Sequence, residues 1–341
     1  MAASGTDAQT KKHDGLEWIL QPVRSYMDEL NRFLDRQTEE FEPETAEMVR
    51  YCLRSKGKRI RTLLLFYSGW GGEGQLSEAH IQAAAVVELV HLATLVHDDI
   101  LDDATIRHND YTVSQQYGVS TAVLLGDALF SHALKLASDF PTVEVCRAVS
   151  LSTRRVCAGE IQQTFQRGNP DLGLDDYFRM IELKTAELFK VSCQLGASLS
   201  GYPKDFVQAA AAFGNHLGVA YQIFDDMADF LGEEKKIGKT LGTDLGSGKY
   251  TLPLLLLLQK LDDVQRQTLI NRLRKGEFDR VGMLAMMESL GVIEASRVFF
   301  ERAIQAADQA LAPFSDNPAS AMLARLSEMV VAQMDRLSAA R

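Results

Sequence analysis

The chain has 341 residues, 46% hydrophobic and 24% charged, a composition that fits a globular protein with a large core. A formal net charge of −10 argues against a broad nucleic-acid surface, which needs a positive stripe, so any anion site must be local. Length alone allows more than one domain.

Residues 1–14 read as a flexible tail, small and polar, without the apolar stretch of a secretory signal, which predicts a cytoplasmic location. From residue 15 on, helical periodicity dominates and no sustained period-two alternation interrupts it, so the fold class expected is all-α. Breaks at Phe41-Glu42-Pro43, Ser68 to Leu76, Asn109 to Ser114, Phe140-Pro141, Arg167 to Leu174, Gly201-Tyr202-Pro203, Leu231 to Tyr250 and Asp316-Asn317-Pro318 leave roughly ten or more helices. No composition shift marks a boundary, so residues 15–341 are expected to form a single large helical bundle with a central apolar cavity between facing helices. The longest aliphatic run, Leu254 to Leu258, is far too short to cross a bilayer, and no transmembrane segment is expected. Cys52, Cys146, Cys157 and Cys193 show no CxxC pair or metal spacing and read as reduced, buried thiols.

Two acidic clusters stand out: Asp98-Asp99-Ile100-Leu101-Asp102-Asp103, ending a long helix that starts near Ser77-Glu78, and Asp225-Asp226-Met227-Ala228-Asp229, ending one that starts near Lys204-Asp205. Each repeats Asp-Asp-x-x-Asp. Residues three and four apart share a helix face, so Asp98 and Asp99 converge with Asp102, and Asp225 and Asp226 with Asp229; each like-charge pair costs roughly 0.2–0.5 kcal/mol. A single cluster could be a solvated face, but two copies in apolar, helix-favouring sequence imply a cation that offsets the repulsion. Carboxylate oxygens favour Mg²⁺, which shares its remaining positions with waters and substrate phosphates. A calcium loop would need a Gly and a terminal Glu at spacings that neither segment has. The polar loops that follow both clusters place them at one rim of the bundle.

A negative ligand also needs donors, and basic residues flank both clusters. Lys56-Gly57-Lys58-Arg59-Ile60-Arg61 precedes an apolar helix, Arg107-His108 follows the first cluster, and Lys239 and Lys249 follow the second. Arginine forks and lysine point charges both suit diphosphate oxygens. His91, Asp98 and Asp102 stand at i, i+7 and i+11 and share a helix face.

From about Ser25 to Leu290 the chain resembles the trans-isoprenyl diphosphate synthases. The resemblance rests on Gly57-Lys58-Arg59-Ile60-Arg61, Glu88-Leu89-Val90-His91, His97-Asp98-Asp99-Ile100-Leu101-Asp102 through Arg107, Gly126-Asp127 and Gly159-Glu160. It continues through Lys184-Thr185, Tyr221-Gln222-Ile223-Phe224-Asp225-Asp226, Gly238-Lys239 and Asp244-Leu245-Gly246-Ser247-Gly248-Lys249. It implies a Mg²⁺-dependent enzyme, a homodimer, that adds isopentenyl diphosphate to an allylic prenyl diphosphate. By the resemblance, Asp98, Asp102 and Asp225, helped by Asp99, Asp226 and Asp229, hold three Mg²⁺ on the allylic diphosphate. Arg107, Lys184, Lys239 and Lys249 grip the same group; Lys58, Arg61 and His91 hold isopentenyl diphosphate; Thr185 and Gln222 line the reacting carbon. His97 is expected to be structural.

The chain departs from the family at His108, where a second arginine of the isopentenyl diphosphate site is usual. A neutral imidazole offers one donor where guanidinium offers five, so weaker or pH-sensitive binding of that substrate is expected. A class I terpene cyclase would need no isopentenyl diphosphate site and normally carries a mixed second metal motif, and a non-catalytic prenyl-binding subunit should have lost aspartates. Lys58, Arg61, His91 and two complete clusters favour the synthase over both.

Product length is expected to follow from Ala93 and Thr94, before Asp98. Short-chain members place an aromatic residue at one of these positions; long-chain members resemble this chain, with Ala then Thr or Ser. Ala93 lies five residues before Asp98, about 7.5 Å deeper at 1.5 Å per residue, and the resemblance implies a product of roughly six to ten isoprene units, about C30–C50, rather than a farnesyl or geranylgeranyl chain.

Overall fold

The computed structural model describes residues 17–54, 57–72, 74–107, 110–232, 242–277 and 279–339; the expected 1–14 tail, His108 and Lys239 lie outside the described residues. Helices follow one another in short steps: α1 Glu17–Leu20, α2 Arg24–Gln37, α3 Pro43–Arg54, α4 Ile60–Ser68, α5 Glu78–Leu101, α6 Val113–Tyr117, α7 Val119–Ser138, α8 Glu144–Phe165, α9 Leu174–Ile181, α10 Glu187–Leu199 and α11 Lys204–Leu231. After them come α12 Thr243–Gly246, α13 Leu252–Lys260, α14 Asp263–Arg274, α15 Arg280–Ser289, α16 Val292–Leu311 and α17 Pro318–Ala339. The all-α expectation holds, apart from a ribbon of two-residue strands, β1 Ile106–Arg107 and β2 Asp110–Tyr111, which pairs Arg107 with Asp110.

The long helices start and stop where the sequence signals. At the start of α5 the Ser77 N–H donates to Nδ1 of His80 at 3.1 Å, pairing one orphan donor of the first turn. At its end the Asp102 N–H reaches the Asp98 carbonyl, 2.9 Å, and Asp103 turns the chain in a left-handed conformation, φ 49°. Helix α11 follows Pro203 and stops before Gly232.

Helix α5 is buried nearly all round, the signature of a central helix, packing on α2, α4, α7 and α10. Helix α11 packs on α10 and α16. The apolar side chains of these elements form one core cluster from Ile19 to Met334.

By length and composition alone two helices could cross a membrane, Glu78–Leu101, with 67% of its apolar window buried, and Val119–Ser138, with 39%. The first owes its apolarity to its central place. Two cysteines, Cys52 and Cys193, are buried as expected, but Cys157 is exposed.

Between α9 and α10 the rod steps through a π-turn, Glu182–Ala186, which holds Lys184 and Thr185. Two glycines let neighbouring helices close on it. A Cβ at Gly159 of α8 would stand 2.6 Å from the Lys184 nitrogen, and one at Gly218 of α11 would stand 2.6 Å from the Ala186 Cα. Single π-turns of this kind recur at functional sites.

Candidate active site

A cavity of about 1710 Å³ opens between the ends of α5 and α11, walled by α8 and the π-turn; Asp98, Asp99, Asp102, Asp225 and Asp226 all line it. The two clusters therefore meet in one space, as their shared rim predicted.

The first cluster is clasped by cations. Arg107 donates Nε to both Asp99 oxygens, at 2.8 and 3.0 Å, and Nη2 to Oδ1 at 2.6 Å. Burial opposes the guanidinium's charge, but these bonds raise its pKa above the ordinary value. Asp102 accepts from Lys249 Nζ at 2.6 Å and Arg167 Nη2 at 2.7 Å. Burial works to raise its carboxyl, yet Lys249 and the other cations hold it below the usual range. Lys184 pairs with Glu160, stands with its Nζ 3.6 Å from Asp98 Oδ2, and donates to Gln163 Oε1 at 2.9 Å. Asp98 is pushed up to about 6, mainly by burial, with Lys184 pulling the other way.

In the second cluster Asp226 is held by neutral donors. Asp226 takes the Tyr177 hydroxyl at 2.6 Å and Gln222 Nε2 at 2.7 Å. Gln222 in turn accepts from Thr185 at 2.7 Å, so a chain of bonds runs from the π-turn to the aspartate. Burial, reinforced by Asp244, pushes Asp226 up to about 7.

A third group lies along α4 and α5. Arg61 stacks over the Phe189 ring, 5.1 Å from its centroid, with Nη1 3.0 Å from His91 Nε2. Lys58 donates to Gln333 of α17 at 2.5 Å. Arg59 between them holds φ 47°, strain of the kind that persists only where surrounding structure fixes it.

The polyprenyl synthetase family profile matches residues 42–288. Heptaprenyl diphosphate synthase component 2 of Bacillus subtilis is 32% identical over 304 residues, covering 89% of this chain and 87% of its own. The chain belongs to the polyprenyl synthetase family.

Among solved structures, a decaprenyl diphosphate synthase from Rhodobacter capsulatus superposes with a TM-score of 0.86 at 30% identity, covering 94% of this chain and 99% of its own. A polyprenyl synthase from Caulobacter crescentus, solved with calcium and isoprenyl diphosphate, gives a TM-score of 0.86 at 26% identity, covering 94% and 98%. The polyprenyl synthetase fold is thus all-α here as there, and the chain is a prenyl-transferring enzyme whose relatives are of the long-chain type expected from its sequence.

Within this polyprenyl synthetase most expected residues converge: Lys58, Arg61, His91, Thr94, Arg107, Lys184, Thr185, Gln222 and Lys249 line the same cavity as the aspartates. Two do not. Asp229 is 1% exposed, is not among the cavity-lining residues, and accepts the Gly242 N–H at 3.0 Å. Ala93 is fully buried in the packed core, whereas Thr94 lines the open space and donates to the His91 carbonyl at 2.7 Å. His97 also lines the cavity, its Nε2 3.1 Å from the Val123 carbonyl.

Sequence reasoning missed Tyr177, Gln163 and Arg167 and gave Glu160 no role. Their partners lie 21 to 65 positions away in sequence, beyond any local pattern.

The carboxylates fit a hard divalent cation in kind, being oxygen donors only. Among the described residues no three His, Cys, Asp or Glu already form a closed cage.

Proposed function

We propose that the chain condenses isopentenyl diphosphate with an allylic prenyl diphosphate, with Mg²⁺ as cofactor, to make a long-chain product. The observation that carries this is the meeting of both aspartate clusters with Lys184, Lys249 and Arg107 in one cavity. Asp98, Asp99 and Asp102 on one wall and Asp225 and Asp226 on the other would hold the metal. Bound there, Mg²⁺ neutralises charge on the departing diphosphate.

The protein's own groups do the rest. Lys184, Lys249 and Arg107 turn from carboxylate to diphosphate oxygens and stabilise the leaving group as the allylic C–O bond ionises. Arg61, His91 and Lys58 hold isopentenyl diphosphate so that its double bond faces the allylic cation, which the Thr185 hydroxyl and Gln222 carbonyl stabilise as dipoles. The new bond leaves a cation that loses a proton to the released diphosphate, and no protein nucleophile is needed. Apolar lining such as Phe130, Val156 and Leu188 keeps water from quenching the cation.

Residues 15–341 would work as one unit, in a homodimer. Most large apolar side chains left exposed lie between Leu101 and Phe165, among them Leu124 at 68% and Phe165 at 83%, on the adjoining helices α7 and α8. A second copy would cover this face, which also accounts for the apolar composition of α7.

The test is to incubate the pure chain and Mg²⁺ with isopentenyl diphosphate and primers of increasing length, then size the products. Roughly six to ten isoprene units are expected, and Thr94→Phe should shorten them by blocking the tunnel. A parent that stops at three or four units makes this a short-chain enzyme. The name of the Bacillus subtilis relative, component 2, favours a second reading in which a different subunit is required; activity of the pure chain alone excludes it.

A further inference from the structure

Arg167 stands just past the end of α8 and belongs to none of the motifs that the sequence singled out. Its guanidinium lines the cavity beside the first aspartate cluster. Nη2 donates to Asp102 Oδ1 at 2.7 Å and Nη1 to the Leu101 carbonyl at 2.9 Å. Nε is buried and finds no hydrogen-bond partner among the described residues. A buried guanidinium N–H left without an acceptor is costly, and it supplies a ready donor for an incoming anion.

Arg167 shares its aspartate with Lys249, which donates to the other oxygen, Oδ2, at 2.6 Å. The two cations come from separate loops that are stapled together. The Gly168 N–H donates to the Gly248 carbonyl at 2.8 Å, and both glycines adopt φ 71°, a conformation that favours glycine. The loop carrying Arg167 is tied on its far side as well, where Arg266 donates to the Pro170 carbonyl at 3.1 Å and to Asp171 at 2.7 Å. Arg167 and Lys249 thus form one preorganised clamp on Asp102, with Lys249 also 3.8 Å from Asp244. The Arg167 Nε left without an acceptor calls for a further anion at the Asp102 end of the cavity.

We propose that Arg167 is a binding residue for the allylic diphosphate, acting with Lys249 as a two-loop clamp. This rests on the prenyl-transfer reading above. A planar fork reaches two oxygens at once, which a lysine cannot do, so the arginine contributes orientation as well as charge.

The experiment compares the parent, Arg167→Ala and Arg167→Lys as full-length protein. Calorimetry measures the affinity of inorganic pyrophosphate in the presence of Mg²⁺, and steady-state assays give separate Michaelis constants for the two substrates. Arg167→Ala should weaken pyrophosphate and raise the allylic constant about ten- to a hundredfold, the scale of losing charge-assisted bonds, with the isopentenyl diphosphate constant within about twofold. Arg167→Lys should recover part of the loss. A residue that only braces the loop would lower the melting temperature and leave this split unmoved. Pyrophosphate affinity within twofold of the parent in Arg167→Ala, or an equal rise in both constants, overturns the assignment while leaving the prenyl-transfer reading intact. A parent that binds no pyrophosphate overturns both.

Discussion

The two Asp-Asp-x-x-Asp clusters share a spelling and the end of a long helix, yet Asp99 and Asp102 in the first and Asp226 in the second rest on opposite kinds of partner. Asp99 and Asp102 are met by Arg107, Arg167 and Lys249. Asp226 is met by a phenol and an amide, neutral donors that satisfy its oxygens without cancelling its charge. Burial is then free to raise it to about 7, while Asp102 is held below the usual carboxylate range. The same spacing gives Asp99 and Asp102 cationic partners on one wall, where burial still raises Asp98 to about 6, and gives Asp226 neutral ones on the other. What surrounds a motif decides its charge state, not the motif.

The harshest test removes one member of each set. Asp98→Ala and Asp225→Ala should each cut turnover by about a thousandfold or more, the scale of losing transition-state charge stabilisation, with little loss of melting temperature because like-charge repulsion is relieved. Turnover within tenfold of the parent in either variant would sink the two-cluster arrangement.

Lys249→Ala probes the cationic side alone. It should raise the Michaelis constant for the allylic substrate by about ten- to a hundredfold, and isopentenyl diphosphate should be far less affected. Equal effects on both substrates would deny that the cations serve one diphosphate.

Tyr177→Phe probes the neutral side. The phenol lowers the Asp226 pKa by donating to its charged form, so losing it raises that pKa further. The acidic limb of the kcat/KM profile should move to higher pH, and the carboxylate left short of a donor should cost about 1–3 kcal/mol of stability. An unmoved limb would mean that this bond does not govern the site.

The smallest effect is on stability without metal. Asp226, raised to about 7, and Asp98, raised to about 6, bind protons more tightly folded than unfolded. Their contribution is full below about pH 4, the unfolded carboxylate range, and is lost as pH rises through the folded values. Metal-free protein should therefore melt a few degrees higher at pH 6 than at pH 8, at roughly 1–2 °C per kcal/mol for a chain of this size. Asp102 runs the other way, its stabilisation present above about pH 4 and lost on acidification, so it is constant across that window. A flat or reversed trend in a thermal melt would count against raised carboxylates in the folded state.

Much of this was legible in the sequence because it is written at short range. Capping at Ser77, the breaks after Leu231 and before Lys204, and the helix-face set of His91, Asp98 and Asp102 all follow from spacings of a few residues, and the three side chains do share the cavity. The rest depends on contacts between helices. Ala93 is buried in the core while Thr94 lines the cavity, a difference that spacing alone does not set. Asp229 has the right spacing but accepts the Gly242 N–H, 13 positions on, which no helix period reveals. Tyr177 and Arg167 act on aspartates 49 and 65 positions away, contacts that exist only once the bundle closes.

The π-turn at Glu182–Ala186 has a consequence for what lengths of chain this enzyme can tolerate. Helix α9 and helix α10 are one rod with a step in it, and Tyr177 sits on one side of the step with Lys184 and Thr185 within it. Deleting a single residue there would let the rod straighten into ordinary α-helix with α9 and α10 still in phase, because the wide turn holds one residue more than an α-turn. Lys184 and Thr185 would lose the turn that sets them beside Asp98, Glu160 and Gln222. Side chains along this rod can be exchanged one at a time, but the number of residues in it is fixed by the reaction.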